Sequence, residues 1–346
     1  MDRKSVETEF RARVAAPIDL ALIVDLTKRL KSAGRKASAE DRVQMAAYLA
    51  HAAFLAPDKV AGVYDAVSEA WLGKAIKADP IDALERDSEP SPPLLWDKFW
   101  SIVEDGADGK LDALSVTERT AALGRELPDT FVARLVAMSH TYPGVTEAAS
   151  AAFPEKIELT TLAKQPAGSI GAEFHQLIVD NKFDLEVLDR SEIGITALPH
   201  PLDYLNTRIL QSHDLWHITA GYETTSLHEI ALSAFQMAQF GHNYSAQFLS
   251  TVAAASAMSP AAGYKIMMDT VTTAWVHGRE TYPMMLIPWE AIWHKSAAEI
   301  RTEFKIREYK RPYRADLIER TAPIANLLRR LTAFMALFQR KRPAAT

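Results

Sequence analysis

Apolar residues recur at three- and four-residue steps through Ile18–Leu30, Ala39–Leu55, Lys59–Leu72, Ala172–Ile178, Ala246–Met258 and Tyr264–Val276. That period matches one face of an α-helix and is incompatible with the two-residue alternation of a half-buried strand. Lys156–Leu162 is the best strand candidate, and it is short. A mainly α fold is therefore expected. At 346 residues and 48% hydrophobic content, the chain can bury a substantial core. The polar, proline-rich run Glu85-Arg86-Asp87-Ser88-Glu89-Pro90-Ser91-Pro92-Pro93 is the clearest shift in composition. It suggests a linker over 85–97 between an N-terminal helical region of unknown role, 1–84, and a helical domain, 98–310. A basic amphipathic C-terminal helix is expected over 311–346.

Within the larger region, His213-Asp214-Leu215-Trp216-His217 is followed, after eleven intervening residues, by Glu229. Tyr204–Ala220 contains no Pro or Gly and stops at Gly221, so it reads as one helix with a glycine end. His213 and His217 then share a face, and Asp214 lies about 100° round the barrel, within reach of an ion held by both imidazoles. The short run Gly221–Ser226 lets a second, apolar helix return, so that a buried helical hairpin would carry Glu229 toward the same ion. A carboxylate on a buried helix is costly unless a cation meets it. The competing reading makes Ser226-Leu227-His228-Glu229 a capping box, with Glu229 bonded back to the Ser226 amide.

The chain has no cysteine, which excludes disulfides and thiolate metal sites. Two imidazoles and two carboxylates suit zinc first, with iron, manganese and cobalt as alternatives. The start, Met1–Phe10, mixes acids with bases and resembles no targeting peptide. With no apolar run of about 18 residues, a cytoplasmic address follows, extending to peripheral contact with the inner face of the cell membrane. The motive for that contact is the C-terminal stretch. From Arg301 onward, twelve Lys or Arg face four acids in a chain whose net charge is −5. Leu327, Leu328, Leu331, Phe334, Met335 and Phe338 add an apolar stripe of the kind that lies on anionic membranes. No recognised module points to nucleic acid. Met258, Met267, Met268, Met284 and Met285, with Phe248, Tyr264 and Tyr282, are candidates to line a soft apolar cavity.

The His-Asp-x-x-His element with its later Glu resembles the signature of the coenzyme Q biosynthesis protein four family. The likeness extends to Tyr204-x-x-x-Arg208, to Pro166-Ala167-Gly168-Ser169-Ile170-Gly171-Ala172-Glu173-Phe174, to Gly278-Arg279, and to Trp289-Glu290-Ala291-Ile292-Trp293 leading into Ile300–Ile306. It covers roughly residues 155–310. The family's shorter members lack most of what precedes residue 98, and this chain continues beyond the closing segment. The resemblance implies a helical protein whose metal site is formed by His213, Asp214, His217 and Glu229.

It also implies work on a polyprenylated aromatic precursor of ubiquinone, with loss of the C1 carboxylate and introduction of oxygen there, in the company of other ubiquinone-biosynthesis proteins. The expected activity is a metal-dependent oxidative decarboxylation in which the four residues carry the chemistry. The alternative is a non-catalytic scaffold in which the metal is structural and the apolar interior holds the prenyl tail. A third pattern, that of the HD-type phosphohydrolases, would recruit His175 and Asp269 but leaves His217 and Glu229 without roles. A homodimer is left open.

Overall fold

A computed structural model describes residues 2–81, 87–110, 113–181 and 195–321. Fifteen α-helices order the described residues, and no strand occurs among them. The first four are α1 (Arg3–Val14), α2 (Leu20–Ala33), α3 (Ala39–Phe54) and α4 (Val60–Leu72). Then come α5 (Pro93–Ala107), α6 (Ala113–Gly124), α7 (Asp129–Ser139), α8 (Val145–Ala149), α9 (Leu159–Leu162) and α10 (Ile170–Asn181). The series closes with α11 (Leu202–Ala220), α12 (Ser226–Phe240), α13 (Asn243–Ala257), α14 (Ala261–Arg279) and α15 (Ala297–Glu303). The strand expected at Lys156–Leu162 is absent, because its second half coils into the single turn of α9.

Local chemistry explains the helix ends. Asp2, Asp19 and Ser38 accept hydrogen bonds from the first-turn amides of α1, α2 and α3, which lack partners within their own helices. α11 and α12 stop at Gly221 (φ 78°) and Gly241 (φ 64°), both left-handed.

Packing centres on α12, which lies between α13 and α14. Gly278 makes the α12–α14 approach close: a Cβ there would sit 2.7 Å from both Ala238 Cβ and the Phe235 carbonyl oxygen. α3 runs beside α13, and α4 beside α14. One continuous apolar core therefore extends from Val6 to Tyr309. Met267, Met268, Met284, Met285 and Tyr264 are buried in it, Met258 and Phe248 pack against it, and Tyr282 is exposed. The methionines act here as core packing.

Polar ties also join α4 and its flanking turn to the later helices. Arg134 of α7 pairs with the fully buried Asp58 beyond α3, and Arg279 of α14 pairs with Asp65 of α4 at 3.1 Å. Asp269 of α14 accepts from Trp71 Nε1 at 2.8 Å and Lys31 at 3.2 Å, and also from Lys265 and Tyr313. The segment expected as a linker is itself fastened where it is described. Ser88 Oγ bonds His51 Nε2 at 2.6 Å, the Glu89 amide donates to the Leu55 carbonyl, and Arg134 donates to the Asp87 carbonyl. α5 begins within it, at Pro93, where a missing N–H costs nothing. The apolar stripe expected over Leu327–Phe338 lies outside the described residues.

Candidate metal centre

α11 presents His213 and His217 one turn apart on one face, and their rings meet edge to face with centroids 4.9 Å apart. Ligand atoms of His213, Asp214 and His217 all lie within 4.8 Å of one another. Glu229, from the first turn of α12, spans both rings: Oε2 is 3.3 Å from His213 Nε2, and Oε1 is 3.2 Å from His217 Nε2. The structure thus brings all four sequence candidates to one locality, with Glu229 touching both histidines and Asp214 grouped with them. The two helices face each other there chiefly through long side chains. Trp216 stacks obliquely on Phe240 at 5.1 Å, while the closest backbone neighbours of α12 are α13 and α14.

The capping-box reading fails on a contact remote in sequence. Thr225, not Ser226, is the N-cap of α12, and the Ser226 amide donates to Glu319 Oε1 at 2.8 Å. Glu229 is therefore released to face the imidazoles. The phosphohydrolase pattern fails as well, since Asp269 is occupied by Trp71, Lys31, Lys265 and Tyr313, and His175 is not in the cluster.

Hydrogen-bond partners fix the rings. His217 is buried, and its Nδ1 lies 3.0 Å from the Tyr222 carbonyl, which can only accept. In the neutral ring the proton must sit on Nδ1, leaving the Nε2 lone pair turned into the cluster. His213 Nδ1 meets the side-chain amide of Gln236 at 2.7 Å, and its Nε2 lies 3.1 Å from His217 Nε2. Gln236 was not singled out by the sequence reading. The available signal was its position seven residues after Glu229, two helical turns along the same face of an apolar helix.

This arrangement lacks protons. With both rings neutral, three close contacts meet here, His213–His217, His213–Glu229 and His217–Glu229, and the one N–H available, on His213 Nε2, can serve only the first two. His217 Nε2 and Glu229 Oε1 then face each other as two lone-pair donors. A divalent cation would satisfy all three contacts at once, and an N₂O₂ donor set suits one. The residues fit a metal. Electrostatics run the same way. Burial works to raise the Glu229 pKa, but the facing His213 and His217 rings, once protonated, outweigh that and hold the carboxyl well below the usual range. Burial likewise opposes charge on His213, yet Glu229 and Asp214 hold its pKa above the ordinary value.

The remaining motifs brace α11. The Ile170 and Gly171 amides at the start of α10 donate to the Lys295 and Trp293 carbonyls at 2.7 and 3.0 Å. A Cβ on Gly171 would press first on the Gln165 side chain and then on Trp293, which accounts for glycine at that position. Arg208 reaches both oxygens of Glu290. At the far end of α11, Arg301 donates to the Ile218 carbonyl and the Tyr309 amide to that of Ala220. Tyr204 packs edge-on against Phe153.

Fold and cluster together define an all-α protein with a His/carboxylate centre held between two helices. Residues 151–310 match the family described as Coenzyme Q (ubiquinone) biosynthesis protein Coq4, the family whose motifs the sequence resembles. A ubiquinone biosynthesis protein COQ4 homolog, mitochondrial, from Drosophila ananassae is 27% identical over 151 residues, covering 43% of this chain and 54% of the relative. The COQ4 homolog 1, mitochondrial, of Culex quinquefasciatus is 26% identical over 152 residues, 44% of this chain and 53% of its own length. The chain thus spans about half the length of these curated relatives. A solved structure from Nostoc punctiforme PCC 73102 aligns at 20% identity and a TM-score of 0.44, over 61% of this chain and 96% of the other.

One expectation is overturned. The relatives are named as mitochondrial, against the cytoplasmic, inner-face address read from the sequence. That reading took the charge pattern of ten residues as a compartment signal, which so short a pattern cannot be. No helix among the described residues is long and apolar enough to cross a membrane.

Proposed function

We propose that this protein acts in ubiquinone biosynthesis as a metal-dependent enzyme that removes the C1 carboxylate of a polyprenylated aromatic precursor and leaves a hydroxyl there. The observation that carries the reading is the convergence of two imidazole Nε2 atoms and the Glu229 carboxylate with a single proton among them. His213, His217, Asp214 and Glu229 would hold the ion, zinc first among the candidates. A bound divalent cation would supply Lewis acidity toward the substrate's carboxylate or phenolate oxygen.

The protein's own groups do the rest. Tyr222 and Gln236 orient the two imidazoles from behind, on the side where His217 and Gln236 are buried. Glu229, whose side chain is 43% exposed, leaves the other side open to a substrate. That exposure favours the catalytic reading over a scaffold with a structural metal, which needs a closed site. The net change breaks the C1–carboxylate bond with release of CO₂ and forms a C1–oxygen bond, the oxygen coming from water while two electrons pass to an acceptor such as dioxygen, or from dioxygen itself. Other proteins of the same pathway are the expected partners.

The test uses cells whose only copy carries His217→Ala, with the protein level verified. Accumulation of a prenylated precursor that retains its C1 carboxylate supports the reading, and normal ubiquinone levels would reject it.

A further inference from the structure

Behind His213 the chain builds a polar relay that the metal ligands do not account for. Gln236 and Ser245 are 3% and 0% exposed. The Gln236 amide nitrogen lies 2.7 Å from His213 Nδ1, Ser245 Oγ lies 3.4 Å from Gln236 Oε1, and His242 Nδ1 lies 2.9 Å from Ser245 Oγ. The four residues come from α11, α12, the turn after α12, and α13, so the relay ties the cluster to α13. Burial keeps His242 neutral, with its pKa pushed down to about 3, so the choice it makes is between its two neutral tautomers.

A chain of this composition has only two self-consistent polarities. In the one found, His242 Nδ1–H donates to Ser245, Ser245 donates to the Gln236 carbonyl oxygen, and the Gln236 amide donates to a bare His213 Nδ1. His213 then carries its proton on Nε2 and donates it into the cluster, toward His217 Nε2 and Glu229. Rotating the Gln236 amide by half a turn reverses every member. His213 Nδ1–H donates to the Gln236 oxygen, the amide donates to Ser245, Ser245 donates to His242 Nδ1, and the His213 Nε2 lone pair is released. Each ring gains one proton and loses one to solvent, so no net charge moves.

We propose that Gln236 is a positioning residue whose amide orientation selects the His213 tautomer, and that Ser245 and His242 complete a relay that reverses when the cluster takes up a cation. The metal arm of this proposal rests on the reading of the cluster as a metal centre. The metal-free arm does not. Partners behind a ligating imidazole typically alter metal affinity about 10–100-fold when removed.

The experiment compares wild type, Gln236→Glu and Gln236→Met in the full chain, by ¹⁵N NMR of the histidine rings and by Zn²⁺ titration against a chromophoric chelator. Glu presents only acceptors to Nδ1, whereas Met fills the volume and presents none. At a pH high enough to keep the His213 ring neutral, metal-free wild type should show it protonated at Nε2. Gln236→Glu should show it protonated at Nδ1, and Zn²⁺ should invert both His213 and His242 in wild type. Gln236→Met should lose about 10–100-fold in Zn²⁺ affinity while Gln236→Glu stays near wild type or binds tighter. A merely space-filling role predicts the opposite order, with Met tolerated and the buried carboxylate damaging. An unchanged affinity in folded Gln236→Met, or the same His213 tautomer in metal-free wild type and Gln236→Glu, would overturn the proposal. A wild type that binds no Zn²⁺ defeats the metal reading alone, since the metal-free tautomer comparison still decides the role of Gln236.

Discussion

Arg208 and Glu290 form a two-pronged ion pair that ties the helix bearing both cluster histidines to the segment following α14. The second prong measures 2.8 Å. Arg208 is nearly buried and also donates to Gln211 Oε1, whereas the Glu290 side chain is half exposed. Arg208→Met should cost about 1–3 kcal/mol, the usual range for losing hydrogen bonds to a charged group. Glu290→Gln should cost less, because its exposed side can be rehydrated. Urea denaturation of the two variants checks the order, and equal costs would show that the pair contributes little.

Loading the cluster should stabilise the fold. Zn²⁺ at a hundred times its dissociation constant adds about 2.7 kcal/mol to a protein that binds it only when folded. Wild type should therefore melt at a higher temperature with Zn²⁺ than with a chelator, and His217→Ala should show no such difference. A persistent shift in His213→Ala/His217→Ala would place the ion elsewhere.

Acid should destabilise the protein through His277. Its Nε2–H donates to the Arg307 carbonyl, and its Nδ1 accepts from the Tyr222 hydroxyl, both contacts of a neutral ring. Burial pushes its pKa down to about 4 against the hydrogen bond to Arg307. The unfolded chain then binds the extra proton, so the contribution is complete above about pH 6.5 and fades as pH falls toward 4. The span sets an upper limit of about 3 kcal/mol. His277→Gln should flatten the stability profile over that window. His51, His228 and His242 shift in the same direction, so a residual slope is expected. His213 works in the opposite sense, losing its contribution as pH rises through its raised value.

Gly278→Ala should disturb the cluster from a distance. The new methyl would press on Ala238 and the Phe235 carbonyl, driving α12 away from α14. Overpacking of this kind costs about 1–3 kcal/mol. Because α12 carries Glu229 and Gln236, weaker Zn²⁺ binding should accompany the loss. A destabilised variant with unaltered Zn²⁺ affinity would uncouple that crossing from the cluster.

What could be read from the sequence was what is local. The extent of α11 follows from an uninterrupted run ending at Gly221, and the cluster from a four-residue spacing with a nearby acid. Remote contacts were illegible. Nothing near Ser226 announces that Glu319 takes its amide, and nothing in 87–93 announces His51 or Arg134 as partners. The misread strand fails for a related reason, since a seven-residue window cannot distinguish one helical turn from a short extended run. Gln236 is an intermediate case. Its face was predictable, but its hydrogen bond depends on where His213 stands.

The contact between α3 and α13 separates ancestry from self-sufficiency. Ser250 of α13 donates toward the Leu49 carbonyl, Trp275 donates to Asp65, and Asp269 receives Trp71 and Lys31, all across the border of the stretch shared with the insect relatives. A gene fragment trimmed to residues 151–310 would keep every motif of the match, yet strip Trp275 of Asp65 and Asp269 of Trp71 and Lys31, and leave the flanks of α13 and α14 wet. It should come out of an expression host as inclusion bodies, whereas the same fragment supplied with residues 1–150 should not.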